Sequence, residues 1–371
     1  MTTYDMLTFD ELSEQFAAST EWVPPVIIDP TEPGELDRVQ TLIASGDYKV
    51  VRKLEFWATA ISKIEAPNKH HGAKRQAMYD DIMAQGDRFG RWILFDGYLV
   101  QVAEKDMFNR TRTGRNIPLR TEREQKLLGG LHGVFIGQSV GSSAAMACAL
   151  EGICGEMSLV DFDELDPSNL NRIPAGYKDI GLNKTVVTAR RINNINPFVK
   201  VHIFPEGATF CVLARILALK PDFIVEAIDN MKWKVLIREW AKKHGIPVFM
   251  PTDIERASKR AVLAELYGTE DNVPMFDGDL SPELITFIKS KDNLTWDELA
   301  GCAAGIIGPL PPKLAAGLMQ VHYSLAGIPQ LGGTATVVGV SAEWLIEAWA
   351  LGRLTKSGWY TFKQAARMNE L

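Results

Sequence analysis

The sequence predicts an α/β protein built on a doubly wound, mostly parallel sheet, and three observations carry that reading. From Leu131 onward, Val- and Ile-rich runs of strand length alternate with helical patterns. Those runs are near-continuously apolar, as strands covered on both faces are. The first of them, "VFIGQSVGSS", stops at a glycine and restarts as a small-residue helix. At 371 residues and 46% hydrophobic, the chain can bury one large core with a smaller second unit beside it.

Taken in order, "TFDELSEQFA" opens with a capping box at Thr8 and Glu11. "GELDRVQTLIASG", "KVVRKLEFWATAISKI" and "GAKRQAMYDDIMAQG" follow as amphipathic helices. "RWILFDGYLVQVA" places Asp96-Gly97 between two apolar runs, the signal of a two-residue type I′ hairpin. The polar, basic "NRTRTGRNIPLRTEREQKLL" reads as the boundary, so residues 1–110 are predicted to form a mainly helical accessory region ending in a β-hairpin. In residues 111–371, "GVFIG", "EMSLVDFD", "VKVHIFP", "DFIVEAID" and "IPVFMPT" are strands and the segments between them helices: a Rossmann-like domain.

Several function classes are disfavoured. The net charge is −6 and the 40 Lys and Arg are scattered, so no nucleic-acid groove is expected. No apolar run approaches the ~18 residues of a membrane span, and the start "MTTYDMLTFDELSE" is acidic, so a cytoplasmic protein without membrane contact is expected. The four cysteines form no C-x-x-C pair, which argues against a zinc ribbon or a disulfide framework. Cys148, Cys154 and Cys211 read as core, as do Trp233, Trp240, Trp344 and Trp349. His70 and His71 are adjacent, which suits a solvated loop better than a metal site.

Ligands of such sheets sit beyond the carboxyl ends of the strands. After the first strand, Gly137 permits a tight turn and Gly141 a close approach to a helix start that favours anions, while Ser139 stands where dinucleotide folds have glycine. By itself this stretch is a phosphate cradle or a structural turn. Asp161 ends the second strand, placed to hold a ribose. Asn169, Asn171 and Arg172 follow, then Lys184 in "GLNK": a cationic fork and a mobile ammonium suited to a polyphosphate, or else a solvated loop. Asp229 and Asn230 end the fourth strand. A carboxylate beside polyphosphate calls for a divalent cation, making Asp229 the candidate Mg²⁺ ligand, the alternative being an N-cap on the helix from Met231.

The glycine turn, "DFDELDPSNLNR", "GLNK", "EAIDN" and "GIPQLGGTATVVGVSAEWLIEAWALG" together resemble the ThiF/MoeB-type adenylyltransferases of the ubiquitin-activating-enzyme superfamily, in the same order and over roughly residues 110 to 355. The resemblance implies an enzyme that uses ATP and Mg²⁺ to convert a carboxylate, at the C-terminus of a small carrier protein or peptide, into an acyl adenylate. It implies that Asp161 holds the ribose, that Asn169, Arg172 and Lys184 handle phosphates, and that Asp229 organises the metal. It also implies a homodimer in which Arg115, in "TGRNIP", reaches the partner's ATP. The N-terminal layout is similar to a stand-alone bacterial branch, with the first region available to select a partner. Ile173 stands where the family usually has glutamine, and the zinc cysteines of many members are absent. Cys302 is either a thioester nucleophile or a small residue within a helix. Asp253, Glu255 and Arg256 either steer a substrate or form surface pairs. Two other readings stay open: a non-catalytic partner or scaffold, and an oxidoreductase binding NAD through Gly137, Gly141 and Asp161.

Overall fold

A computed structural model describes residues 22–68, 70–256, 261–270, 272–291, 293–307, 312–321, 323–325 and 327–363. The Thr8–Glu11 capping box lies outside them. The described chain divides into two compact units, the smaller spanning Trp22–Lys126 with Asn196–Phe198 and the larger holding Leu127–Ile195 and the described residues from Val199 onward.

In the smaller unit, β3 (Arg91–Phe95) and β4 (Tyr98–Val102) form the predicted hairpin, with Asp96 and Gly97 at φ 51° and 77° as a type I′ turn requires. Side chains alternate faces along it. Trp92 and Leu94 pack with Val39 of α1 (Glu35–Ser45), whereas Ile93 and Phe95 pack with Ala58 and Ile61 of α2 (Leu54–Glu65) and Ile82 of α3 (Gly72–Gln85). The hairpin is not alone. β1 (Val26–Ile28) and β2 (Lys49–Val51) flank it in a four-stranded sheet of order β1-β3-β4-β2, so this unit, helical over most of its ordered length, carries a small sheet where a lone hairpin is predicted. Three-residue strands are too short to show a period, and "KVV" runs directly into the stretch whose spacing predicts a helix.

The polar stretch after the hairpin is not a linker. Its first part forms α4 (Lys105–Thr113), capped by Glu104, and buries Phe108 against Trp57 and Phe198 at ring-centroid distances of 5.4 and 5.3 Å. Asn196 donates to Asn109 Oδ1 at 2.9 Å. The division accordingly falls within α5 (Glu122–Leu128), later than residue 110.

The larger unit carries a seven-stranded sheet of order β11-β10-β9-β8-β5-β6-β7. β5 (His132–Ile136), β6 (Glu156–Val160), β7 (Lys200–Phe204), β8 (Phe223–Glu226) and β9 (Val248–Arg256) are parallel, matching the five predicted runs. β10 (Ala261–Tyr267) and β11 (Gly358–Lys363) extend the edge antiparallel. The intervening helices are α6 (Val140–Glu151), α7 (Lys184–Ile195), α8 (Phe210–Ala218) and α9 (Met231–Lys243). Then come α10 (Pro282–Ser290), α11 (Trp296–Ile307), α12 (Pro312–Leu318) and α13 (Gly332–Ala350). α8 and α9 bury Val212, Leu213, Ile216 and Ile237 on one face with Val134, Ile136 and Ile224. α13 packs on α6 so closely that a Cβ on Gly339 would stand 2.6 Å from the backbone carbon of Ser143. The chain steps from β5 outward to β7, then returns to β8 on the other side of β5. That reversal opens a crevice at the strand ends.

Candidate functional site

A cavity of about 660 Å³ lies at this reversal, a size suited to a small-molecule ligand. Gly137, Ser139, Asp161 and Asn169 line it, and so do Arg172, Lys184 and Asp229. Seven predicted positions, spread over more than ninety residues of sequence, thus meet at one opening.

Each arrives for a local reason. Gly137 sits at φ 89°, and a Cβ there would lie 2.5 Å from the carbonyl oxygen of Ala227, so only glycine fits. Its N–H donates to Val160 at 2.8 Å, and that of Gln138 to Asp161 Oδ2 at 2.5 Å. Ser139 is the N-cap residue of α6 with φ −81°, outside the left-handed region that favours glycine. Its Oγ is buried in the cavity wall without a hydrogen-bond partner. Gly141 does not line the cavity. It lies in the first turn of α6, where a Cβ would meet Ala227 at an ordinary 3.5 Å.

Asp161 is braced rather than free: Oδ2 accepts from Gln138 and Oδ1 from the Asp163 amide at 2.8 Å. Burial raises its pKa above the usual carboxylate value, against these two hydrogen bonds and the charge of Lys184. Lys184 is not a mobile ammonium. It is buried in the first turn of α7, with Nζ 2.7 Å from Asp163 Oδ2. Asn183, in the same "GLNK", accepts from the Thr185 amide and donates to the Asp161 carbonyl. Asn169 completes a capping box with Asp166, its side chain accepting from the Asp166 amide at 3.2 Å. Arg172 Nη1 donates to Ser168 O at 3.1 Å and Asn171 Oδ1 at 2.9 Å, while its Nε is buried with no partner. Ile173 fills a small apolar cluster with Leu165 and Val187, which accounts for its departure from glutamine.

Asp229 is exposed at the cavity mouth. The helix cap is Asn230, which accepts from the Trp233 amide at 3.0 Å, so Asp229 does not serve as the N-cap. Among the described residues no three or more His, Cys, Asp or Glu form a metal-holding group. Mg²⁺, however, binds through one or two carboxylates plus phosphate oxygens, and Asp229 fits that role.

Sequence reasoning missed other wall residues. Trp233 lines the cavity and packs against Phe210 in a tilted ring pair with centroids 5.3 Å apart. Lys234 also lines it, with Nζ 2.8 Å from Glu226. Glu226 is wholly buried. Burial alone would raise its pKa, but the charges of Lys234 and Arg238 and hydrogen bonds from both hold it below the usual value. Arg238 continues the chain to Glu265 at 2.5 Å and stacks on Phe276 at 4.1 Å. The only advance signal was a spacing of four between Lys234 and Arg238 on α9.

Other candidates fall outside the cavity. Cys302 is buried in α11, its thiol pushed up by burial and by Glu298, the opposite of an activated nucleophile. Cys211 is exposed on the outer face of α8, not core, and Trp344 is half exposed. His70 and His71 are exposed at the start of α3. Arg115 is exposed in the smaller unit. The side chains of Asp253, Glu255 and Arg256 lie outside the described residues. Among the described residues no helix is long and apolar enough to cross a membrane.

Comparisons with known proteins identify the family. The ThiF family profile matches residues 114–324. An uncharacterized protein of Mycobacterium tuberculosis is 31% identical over 268 residues, covering 71% of this chain and 36% of that protein. The Escherichia coli tRNA threonylcarbamoyladenosine dehydratase is 32% identical over 141 residues, covering 38% and 52%. The chain thus spans about a third to a half of the length of these curated relatives. The solved structure of TcdA (CsdL) shares the fold, with TM-score 0.50 at 22% identity over 68% of this chain and 98% of that one. With more than half of its length under the family profile, and the family's motifs gathered at one crevice, this chain belongs to the ThiF family.

Proposed function

We propose that the protein is an ATP-dependent adenylyltransferase that activates the C-terminal carboxylate of a small carrier protein or peptide. One observation carries the reading: Arg172, Lys184 and the uncommitted Asp229 share a single cavity with the glycine turn. A dehydrogenase has no use for that trio. In the reaction, a carboxylate oxygen forms a bond to the α-phosphorus of ATP. The bond from that phosphorus to the bridging oxygen breaks, and its electron pair leaves on pyrophosphate. The product is an acyl adenylate.

The chain's own groups have distinct tasks. Each Asp161 oxygen accepts one N–H and retains a lone pair for a ribose hydroxyl. The Ser139 hydroxyl and the free amides at the start of α6 face the phosphates. Arg172 offers its unpartnered Nε, and Lys184, fixed by Asp163, adds positive charge where negative charge accumulates on the departing pyrophosphate. Asp229 would hold Mg²⁺, which supplies neutralisation of phosphate charge. Asn169 supports the site by holding the loop that carries Arg172. Arg115 acts on the nucleotide of a second copy in a homodimer, and the smaller unit selects the partner; the family resemblance supports both assignments.

The test is isotope exchange between pyrophosphate and ATP, with candidate peptides and carrier proteins supplied. Exchange is expected with the right carboxylate and is expected to fall by at least ~100-fold in Arg172→Ala and Asp229→Ala. Wild-type protein that neither exchanges nor binds ATP calorimetrically would sink the reading and leave a scaffold.

A further inference from the structure

Beyond Asp161 the cavity wall carries an open aromatic face and a carboxylate with one oxygen unclaimed. Phe162 lines the cavity and is 73% exposed. Its ring is seated on Gly207, where φ is 75° and a Cβ would stand 2.7 Å from Phe162 Cδ1, so only glycine lets the ring lie there. Glu206, in the turn that leaves β7, lines the cavity beside them. Its two oxygens differ. Oε1 accepts from Arg215 Nη1 of α8, whose guanidinium lies over the Phe204 ring, 5.0 Å from the centroid. Oε2 is buried and has no hydrogen-bond partner. A carboxylate oxygen shut off from water without a donor is costly, and at a cavity wall a ligand supplies the missing donor.

We propose that Glu206 reads the 6-amino group of a nucleobase stacked on Phe162, and thereby sets the preference of this chain for adenine. The inference rests on the adenylyltransferase reading and names the residue that selects its nucleotide. Asp161, the ribose residue of that reading, directly precedes Phe162, so the base joined to that ribose is delivered to the ring. Stacking on an aromatic ring tolerates any base. Selection therefore falls to Glu206. A carboxylate paired with arginine is an acceptor only. Adenine brings it a donor at N6, whereas guanine in the same pose brings the O6 acceptor. Turned over, guanine would offer N1–H and N2–H side by side, a pair that needs both carboxylate oxygens, and Arg215 already holds one.

Calorimetric titration of the full chain with ATP, GTP and purine riboside 5′-triphosphate, which lacks the 6-amino group, tests the assignment. ATP is expected to bind at least ~10-fold more tightly than the purine analogue, the worth of one hydrogen bond to a charged group, and at least ~100-fold more tightly than GTP. Glu206→Gln keeps the side-chain shape and an oxygen for Arg215 while placing an amide NH₂ where Oε2 stood. It is expected to lower the ratio of ATP to GTP affinity by about tenfold or more, a gain for GTP that a merely structural role would not produce. Phe162→Ala is expected to weaken ATP and the purine analogue alike, by about tenfold, with their ratio kept. Equal wild-type affinity for ATP and the purine analogue, or a ratio of ATP to GTP that Glu206→Gln leaves unmoved, overturns the inference while ATP binding keeps the nucleotide reading intact. Failure of the wild-type protein to bind any of the three overturns both.

Discussion

At position 137 the chain cannot carry a Cβ; two residues later it can. The difference is backbone, not motif: Gly137 is left-handed and faces the Ala227 carbonyl, whereas Ser139 is not left-handed and keeps its hydroxyl buried and unpaired. Gly137→Ala is expected to cost about 2–4 kcal/mol in urea unfolding, since a strained φ adds to a clash with backbone that has little room to move. Ser139→Ala should behave in the opposite way. Removing a buried hydroxyl that lacks a partner leaves the melting temperature of the unliganded protein unchanged or slightly raised. The same change should weaken ATP binding by roughly tenfold, the worth of one hydrogen bond to a charged group. An equal loss of unliganded stability in both variants would show that the Ser139 hydroxyl is structural.

Among the elements, the legible ones were those whose burial wrote a long pattern. β5 to β9 are covered on both faces and read as apolar runs, and the Asp96-Gly97 turn declared its own geometry. β1 and β2 are three residues each, so their pairing with the hairpin left no period to read. β10 and β11 join the sheet by long-range antiparallel pairing, up to Ala261 opposite Lys363, which no local pattern records. At the site, residues at strand ends were legible because the fold fixes where ligands go. Met250, Leu299 and Ile306, which also line the cavity, were not, because they look like any core. α9 hid its purpose too: its basic residues suggest a solvated face, yet Lys234 and Arg238 turn inward to Glu226. Glu226→Gln is expected to destabilise the protein by about 3–5 kcal/mol, because it takes the shared counter-charge from two cations, of which Arg238 is wholly buried. Glu265→Gln should cost less, since burial already pushes that carboxyl towards its neutral form. Denaturant titrations of the two variants that gave the reverse order would show Glu265 to be the principal anion of the network.

For the whole molecule, the cavity and Arg115 fall in different units of one chain, and the proposed homodimer would make them partners in function. If Arg115 serves the second copy's nucleotide, a chain with Arg115→Ala and a chain with Asp229→Ala are each inactive alone. When the two are mixed and allowed to re-associate, half of the dimers are hybrids. One of the two cavities in each hybrid then has its own Asp229 and an intact Arg115 from the other copy, so exchange activity should recover to about a quarter of wild type. Were Arg115 to act within its own chain, every cavity in the hybrid would lack one group or the other, and mixing would restore nothing. Sedimentation of the same samples supplies the remaining check: a monomer at the assay concentration rules out any action of Arg115 on a second copy's nucleotide, whatever the mixing shows.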